Sequence, residues 1–138
     1  MNKLKLKLKL IDNLIQIDAI DFSNIAYLEC VIDEKNLINE HFPETFLYFD
    51  ELKKSTECSG FFLIFTGVSG IADEAGWRKV NICHGKSIIS WGFNFDDVFY
   101  SFNFEKNNYI SEIMIVENLI KKLNDKYVLE PQYVFFPE

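Results

Sequence analysis

Three glycines, Gly67, Gly70 and Gly76, lie within ten residues ("GVSGIADEAG") and raise the question of a phosphate-binding loop. A P-loop needs Gly-x-x-x-x-Gly-Lys-Ser/Thr, and a dinucleotide-binding loop needs Gly-x-Gly-x-x-Gly between a strand and a helix. These glycines match neither spacing, and Asp73 and Glu74 would repel phosphate. The stretch therefore indicates a connection between strands, a place where recognition residues often lie.

The two histidines, His41 and His84, are the candidates for a catalytic base. Nucleophilic catalysis needs a base beside a nucleophile, but Cys83 and His84 are sequence neighbours, and neighbouring side chains of a strand point to opposite faces. A Cys58–His41 pair stays open. The three cysteines form no Cys-x-x-Cys motif. Each is expected to be a small buried apolar residue in a protein of a reducing compartment, the cytoplasm.

Two pairs of adjacent acids, Asp73-Glu74 and Asp96-Asp97, are a further possible source of chemistry. Adjacent carboxylates on a strand or turn diverge instead of converging on one cation. The chain also has no His-Glu-x-x-His motif, no paired cysteine spacing and no EF-hand loop. We therefore expect no metal, no cofactor and no catalytic centre. An enzyme with a site built from dispersed acids stays open, because catalytic carboxylates can be far apart in sequence.

The charge balance indicates what the protein would bind. Its 138 residues include 14 basic and 21 acidic ones, for a net charge of −7. Four of the basic residues lie in the first ten positions, so the rest of the chain is more acidic still. Such a surface disfavours nucleic acid and anionic membranes and favours basic partners, although it can also serve solubility alone. We find no signal peptide and no apolar stretch long enough to span a membrane.

The first half of the chain predicts strands and one broken helix. Residues 3–10 alternate lysine and leucine, which predicts a strand with Leu4, Leu6, Leu8 and Leu10 on the core and the lysines protecting a sheet edge. "LIQIDAIDF", "IAYLECVID" and "GFFLIFTG" each read as a strand. "EKNLINEHFPETFLYFDELKK" is predicted to be helical in pieces around Pro43, with Phe46, Phe49 and Leu52 on one helical face.

The second half predicts a meander and a helix. "WRKVNICHGKSIISWGFNF" reads as a hairpin that turns at His84-Gly85-Lys86, and Asp96-Asp97 is predicted to be a tight turn into "VFYSFNFE". A helix is expected over residues 109–123, capped by Asn107 or Asn108, with the apolar tail "YVFFPE" docked on the domain. The fold class is therefore α+β: residues 1–138 form a single domain, mainly an antiparallel β meander with two or three helices.

Residues 46–123 also carry a resemblance to known proteins. The pattern consists of a Gly-x-Phe, a Gly-x-x-Gly, a valine-rich strand, an Ile-x-Trp strand, a Phe-x-Phe and a helix that starts with tyrosine. Its residues here are Gly60, Phe62, Gly67, Gly70, Val80, Ile89, Trp91, Phe102, Phe104 and Tyr109. In this pattern the chain resembles a group of small bacterial proteins. In its small size, its single domain, its acidity and its lack of catalytic motifs it also resembles, more broadly, immunity proteins of bacterial toxin systems, including contact-dependent growth inhibition.

The resemblance implies a cytoplasmic protein, not an enzyme, that binds and neutralises one toxin domain. A nuclease-like toxin presents a basic cleft that an acidic inhibitor can cover. The expected partner-binding residues lie in the predicted strand connections: Asp73, Glu74, Asp96 and Asp97, with Trp77 as an apolar anchor. The alternative is a module that binds a ligand or peptide on an open sheet, which a large pocket with convergent polar groups would favour.

Overall fold

The computed structural model describes residues 1–12, 14–17, 19–37, 45–67, 79–131 and 134. Within these ranges the chain forms twelve strands and two helices, here numbered in chain order. The strands are β1 (Leu4–Ile11), β2 (Ile15–Ile17), β3 (Ile20–Phe22), β4 (Ile25–Ile32), β5 (Lys35–Asn36), β6 (Thr45–Leu47), β7 (Gly60–Phe62), β8 (Phe65–Gly67), β9 (Val80–His84), β10 (Ile88–Phe95), β11 (Val98–Glu105) and β12 (Val128–Leu129). The helices are α1 (Phe49–Lys54) and α2 (Lys106–Lys121).

Two four-stranded sheets dominate this architecture. The first has the order β1–β4–β12, with β5 also paired to β4, and only β12 runs parallel to its neighbour. The second is the antiparallel meander β11–β10–β9–β7. Two smaller pairs, β2–β3 and β6–β8, are antiparallel as well. The α+β class with a mainly antiparallel meander is confirmed.

The core lies between the meander, helix α2 and strand β1. Along β10 the side chains alternate, so Trp91 and Phe93 are buried. The indole of Trp91 meets the rings of Phe104 and Tyr109 edge to face, at centroid distances of 5.2 and 6.1 Å. Helix α2 contributes Tyr109, Ile113 and Val116, which lie three or four residues apart and therefore share one face, and it packs along β1. Aromatic packing therefore fixes the position of the meander against the helix.

Strand β1 forms where the lysine–leucine alternation predicts it, and it lies at the edge of its sheet. Leu4 and Leu6 are buried and Leu8 packs against the core at partial burial. The prediction for Leu10 is wrong, because its side chain is 49% exposed. The strand continues past the core cluster, which includes Leu8 but not Leu10.

Several elements in the first half of the chain have other boundaries than the sequence predicts. "LIQIDAIDF" forms the short hairpin β2–β3 instead of one strand, and "GFFLIFTG" divides into β7 and β8, which belong to different sheets. Phe46 lies in β6 instead of on a helix, and packs in a separate small cluster with Ile25. Leu63 and Ile64, between β7 and β8, are fully buried. The apolar sequence is therefore continuous across the point where one strand ends and the next begins. Pro43 lies outside the described residues.

Helix α2 begins earlier than predicted. It starts at Lys106, and Glu105 occupies the N-cap position without a side-chain hydrogen bond, so neither Asn107 nor Asn108 is the cap. Strand β11 leads directly into the helix, and the Lys106 N–H donates to the carbonyl of Ser87 at 2.9 Å. Glu117 and Lys121, four residues apart on this helix, form an ion pair at 4.0 Å. Apart from residue 134, the tail after residue 131 lies outside the described residues.

The expectation that all three cysteines are buried is wrong for two of them. Cys30 is buried in β4, whereas Cys58 and Cys83 are exposed. Cys83 lies on the side of β9 that faces away from the core, since its neighbour Ile82 points inward. None of the described helices is long and apolar enough to cross a membrane.

Candidate partner-binding surface

The turn between β10 and β11 presents two adjacent carboxylates to solvent. Phe95 pairs directly with Val98, so Asp96 and Asp97 alone make the connection. Both have positive φ, 52° and 62°, which corresponds to a two-residue hairpin turn of type I′. The tight turn predicted here is confirmed. Both side chains are exposed, and neither forms a salt bridge with a described residue. We call these two residues the acidic tip.

Two exposed apolar side chains directly follow the acidic tip. Val98 is 50% and Phe99 64% exposed. A Cβ atom placed on Gly92 would lie 3.3 Å from Cζ of Phe99, so the phenyl ring lies across this glycine on the neighbouring strand. Phe99 is not among the residues predicted from the sequence to bind a partner, because it lies on the face of β11 opposite to the core-facing residues. The same alternation, followed on the other face, places Phe99 opposite to Tyr100 and would have identified it.

The ring of Phe99 belongs to an outer face of the meander that carries small uncharged side chains. The register aligns Ser101, Gly92, Asn81 and Phe61 in one row across all four strands. Phe61, at the far edge of this row, is 66% exposed. The same face of β10 and β11 also carries Ser90, Asn94 and Asn103, with Glu105 at the end of β11. An aromatic ring among mostly small, uncharged side chains, with an acidic tip at the border, is a composition that protein interfaces use.

The other three candidate binding residues, Asp73, Glu74 and Trp77, fall outside the described residues. Among the five candidates the structure therefore brings together only Asp96 and Asp97.

His84 has a structural role in this fold. Its Nε2 lies 2.7 Å from the carbonyl oxygen of Ser55, and its backbone N–H donates to Oγ of Ser59 at 2.8 Å. These contacts join the end of β9 to the segment after α1. His41, and with it the Cys58–His41 pair, lies outside the described residues. Within the described part of the chain, no group of three His, Cys, Asp or Glu side chains is placed to hold a metal ion.

Comparisons of the chain with protein-family models, with curated proteins and with solved structures found no match.

Proposed function

We propose that this protein is an immunity protein, which binds a basic, nuclease-like toxin domain in the cytoplasm and neutralises it. The observation that supports this best is the acidic tip beside the exposed ring of Phe99. The tip supplies two carboxylates free of intramolecular salt bridges within the described residues. The ring supplies an apolar anchor of the kind that dominates binding energy at interfaces.

Turn geometry accounts for Asp96 better than for Asp97. A type I′ turn is best served by asparagine followed by glycine, because both central residues need positive φ. Asp97 occupies the position that favours glycine, at φ 62°, and its Cβ makes that conformation costly. A residue that is suboptimal for the turn but supplies charge at an exposed position fits a role in recognition.

Long-range electrostatics supports a basic partner. The net charge of −7 attracts a basic domain from a distance and raises the association rate. Carboxylates at a protruding turn would enter a cleft that otherwise holds phosphate groups. Phe99 and the small uncharged side chains beside it on the outer face would then exclude water around these contacts.

The test is binding and inhibition with the product of the adjacent gene. We expect that product to be a toxin whose activity stops when this protein is added at an equal molar amount. The triple variant Asp96→Asn, Asp97→Asn and Phe99→Ala should bind it at least about tenfold more weakly, given the usual cost of losing one interface anchor. Asparagine tolerates positive φ, so these substitutions remove charge without straining the turn.

A charge-matched control is Glu57→Gln with Asp125→Asn, two exposed acids outside the meander. It should bind like the wild type. An adjacent gene product that is neither toxic nor bound would contradict the proposal, and equal affinity of the triple variant would contradict the assigned surface.

A further inference from the structure

We infer that the outer edge of β11 is a self-association site, at which a second copy of this chain pairs antiparallel through its own β11. The site uses the edge of the meander and not the acidic tip, so it is independent of the proposed toxin binding. Strand β11 is the outermost strand in the order β11–β10–β9–β7 and is eight residues long. An edge strand of that length presents backbone groups that can pair with another chain.

The backbone hydrogen bonds show which groups of β11 face this edge. The N–H of Asn103 donates to Oδ1 of Asn2 at 2.8 Å, and its C=O accepts from the Asn2 N–H at 2.8 Å, so Asn103 points away from β10. Because direction alternates along a strand, Phe99 and Ser101 also direct their N–H and C=O groups outward. No described residue forms a hydrogen bond with these four groups. Asn2 therefore closes the edge at Asn103, whereas no described residue pairs with it from 98 to 102.

The side chains of β11 do not protect this edge. Natural edge strands commonly carry charged residues that disfavour pairing with another molecule. In this strand no charged residue lies between Asp97 and Glu105. Val98 and Phe99 are 50% and 64% exposed, and Ser101 is exposed as well. The segment therefore combines unpaired backbone groups with exposed, uncharged side chains that are compatible with a strand partner.

The outward groups define one register for a second copy. If Phe99 pairs with Ser101 of the second copy, and Ser101 with its Phe99, all four outward groups of each copy form hydrogen bonds. The two-fold axis then passes beside Tyr100. Val98 lies opposite Phe102 of the second copy, so a β-branched side chain meets an aromatic one, and the two Tyr100 side chains lie opposite each other. Cross-strand pairs of these types stabilise antiparallel sheets.

The charges favour a second copy over a charged strand at this edge. Every residue from 98 to 102 is uncharged, so a basic or acidic strand would find no opposite charge there, and two copies place no like charges directly opposite each other. Asp96 and Asp97 lie outside the paired segment and stay exposed. Repulsion between two copies of net charge −7 acts at longer range and is screened by salt. Self-association should therefore strengthen as salt rises, opposite to association with a basic toxin.

Sedimentation and amide hydrogen exchange of the full chain test this site, with a reducing agent present because Cys58 and Cys83 are exposed. We expect the average mass to rise from monomer towards dimer with increasing protein concentration, and to rise further with salt. In NMR, exchange of the Phe99 and Ser101 amides should slow at high protein concentration. Exchange of the Asn103 amide, which already has a partner, should change less and serves as the internal control.

A proline at the edge provides the second arm. Ser101→Pro removes an outward N–H but no hydrogen bond to β10, and it should weaken the dimer at least about tenfold, because two hydrogen bonds per dimer are lost. Ser101→Ala keeps this N–H and should dimerise like the wild type.

Three outcomes would overturn the inference: a chain that is monomeric at every concentration and salt, equal dimerisation of a folded Ser101→Pro variant and Ser101→Ala, or a dimer whose Phe99 and Ser101 amides exchange as fast as in the monomer. The exchange measurement uses the wild type and does not depend on the folding of the proline variant. None of these outcomes bears on toxin binding by the acidic tip.

Discussion

The indole N–H of Trp91 donates a hydrogen bond to the hydroxyl of Tyr109, at 3.1 Å, in the centre of the core. That hydroxyl lies 2.6 Å from Oγ of Ser55, which itself donates to the carbonyl oxygen of Leu52 at 2.5 Å. With Tyr109 donating to Ser55, a continuous chain of hydrogen bonds joins the meander, α2 and the end of α1. Each buried polar atom of this chain is satisfied, so it stabilises one relative placement of these elements.

Replacing Tyr109 by phenylalanine should lower the free energy of unfolding by about 1–3 kcal/mol, because the buried groups of Trp91 and Ser55 lose a partner. Urea denaturation measures the change. Tyr127→Phe is the matched control, since the Tyr127 hydroxyl bonds to Asp12 at the surface and water can replace it. A Tyr109→Phe variant as stable as Tyr127→Phe would mean that the buried chain does not stabilise the fold.

Alkaline pH should destabilise the protein through two buried groups. Burial raises the pKa of Cys30 from 9.0 to about 12 and the pKa of Tyr109 well above its usual 10.0. Above pH 9 to 10 the unfolded chain loses these protons while the folded chain keeps them. Stability therefore falls as pH rises, by about 1.4 kcal/mol per pH unit for each such group.

Denaturation midpoints measured from pH 8 to 11 test this expectation. In the Cys30→Ala variant the fall between pH 9 and 10 should be shallower than in the wild type. An unchanged slope would show that the Cys30 thiol does not titrate differently in the two states.

Strand β1 allows a comparison of leucines that share one alternation. Leu6→Ala should destabilise the protein by about 2–5 kcal/mol, the usual cost of a core cavity. Leu10→Ala should cost much less, because Leu10 is 49% exposed, and Lys5→Ala should change stability by less than about 0.5 kcal/mol. Thermal or urea denaturation of the three variants gives the values. Equal losses at Leu6 and Leu10 would contradict the position of the core boundary.

Residues that adopt positive φ more easily should stabilise the turn at the acidic tip. Asp96→Asn with Asp97→Gly should raise stability by up to about 1 kcal/mol, because asparagine and glycine adopt positive φ more easily. Asp97→Ala should lower stability by about 1 kcal/mol for the opposite reason. The two melting temperatures check both signs, and a stabilising alanine would contradict the left-handed conformation at Asp97.

The sequence predicts the parts of this fold in which burial follows a clear period. In β10 the buried residues Trp91 and Phe93 alternate with outward ones, and in α2 the buried residues Tyr109, Ile113 and Val116 follow helical spacing. These patterns suffice because each element buries a single face. The turn at Asp96 and Asp97 could also be predicted from the sequence, because aspartate is common in tight turns.

Other features depend on packing that no local pattern encodes. The run from residue 60 to 67 is apolar throughout, and only its partners β9 and β6 show that it contributes to two sheets. Leu10 continues the alternation of β1 but lies past the core. The exposure of Phe99 requires both its strand register and the absence of a side chain at Gly92. The sequence therefore predicted the two acids of the candidate surface but not its aromatic ring.

The rate of association with the product of the adjacent gene, measured by stopped flow at increasing salt, tests the proposed function most directly. If the acidic tip steers a basic partner, the wild-type rate constant should fall as salt shortens the screening length towards ~8 Å and below. The Asp96→Asn, Asp97→Asn variant should associate more slowly at low salt and depend less on salt. A rate constant that changes with neither salt nor the two substitutions would contradict the acidic tip as the partner-binding site.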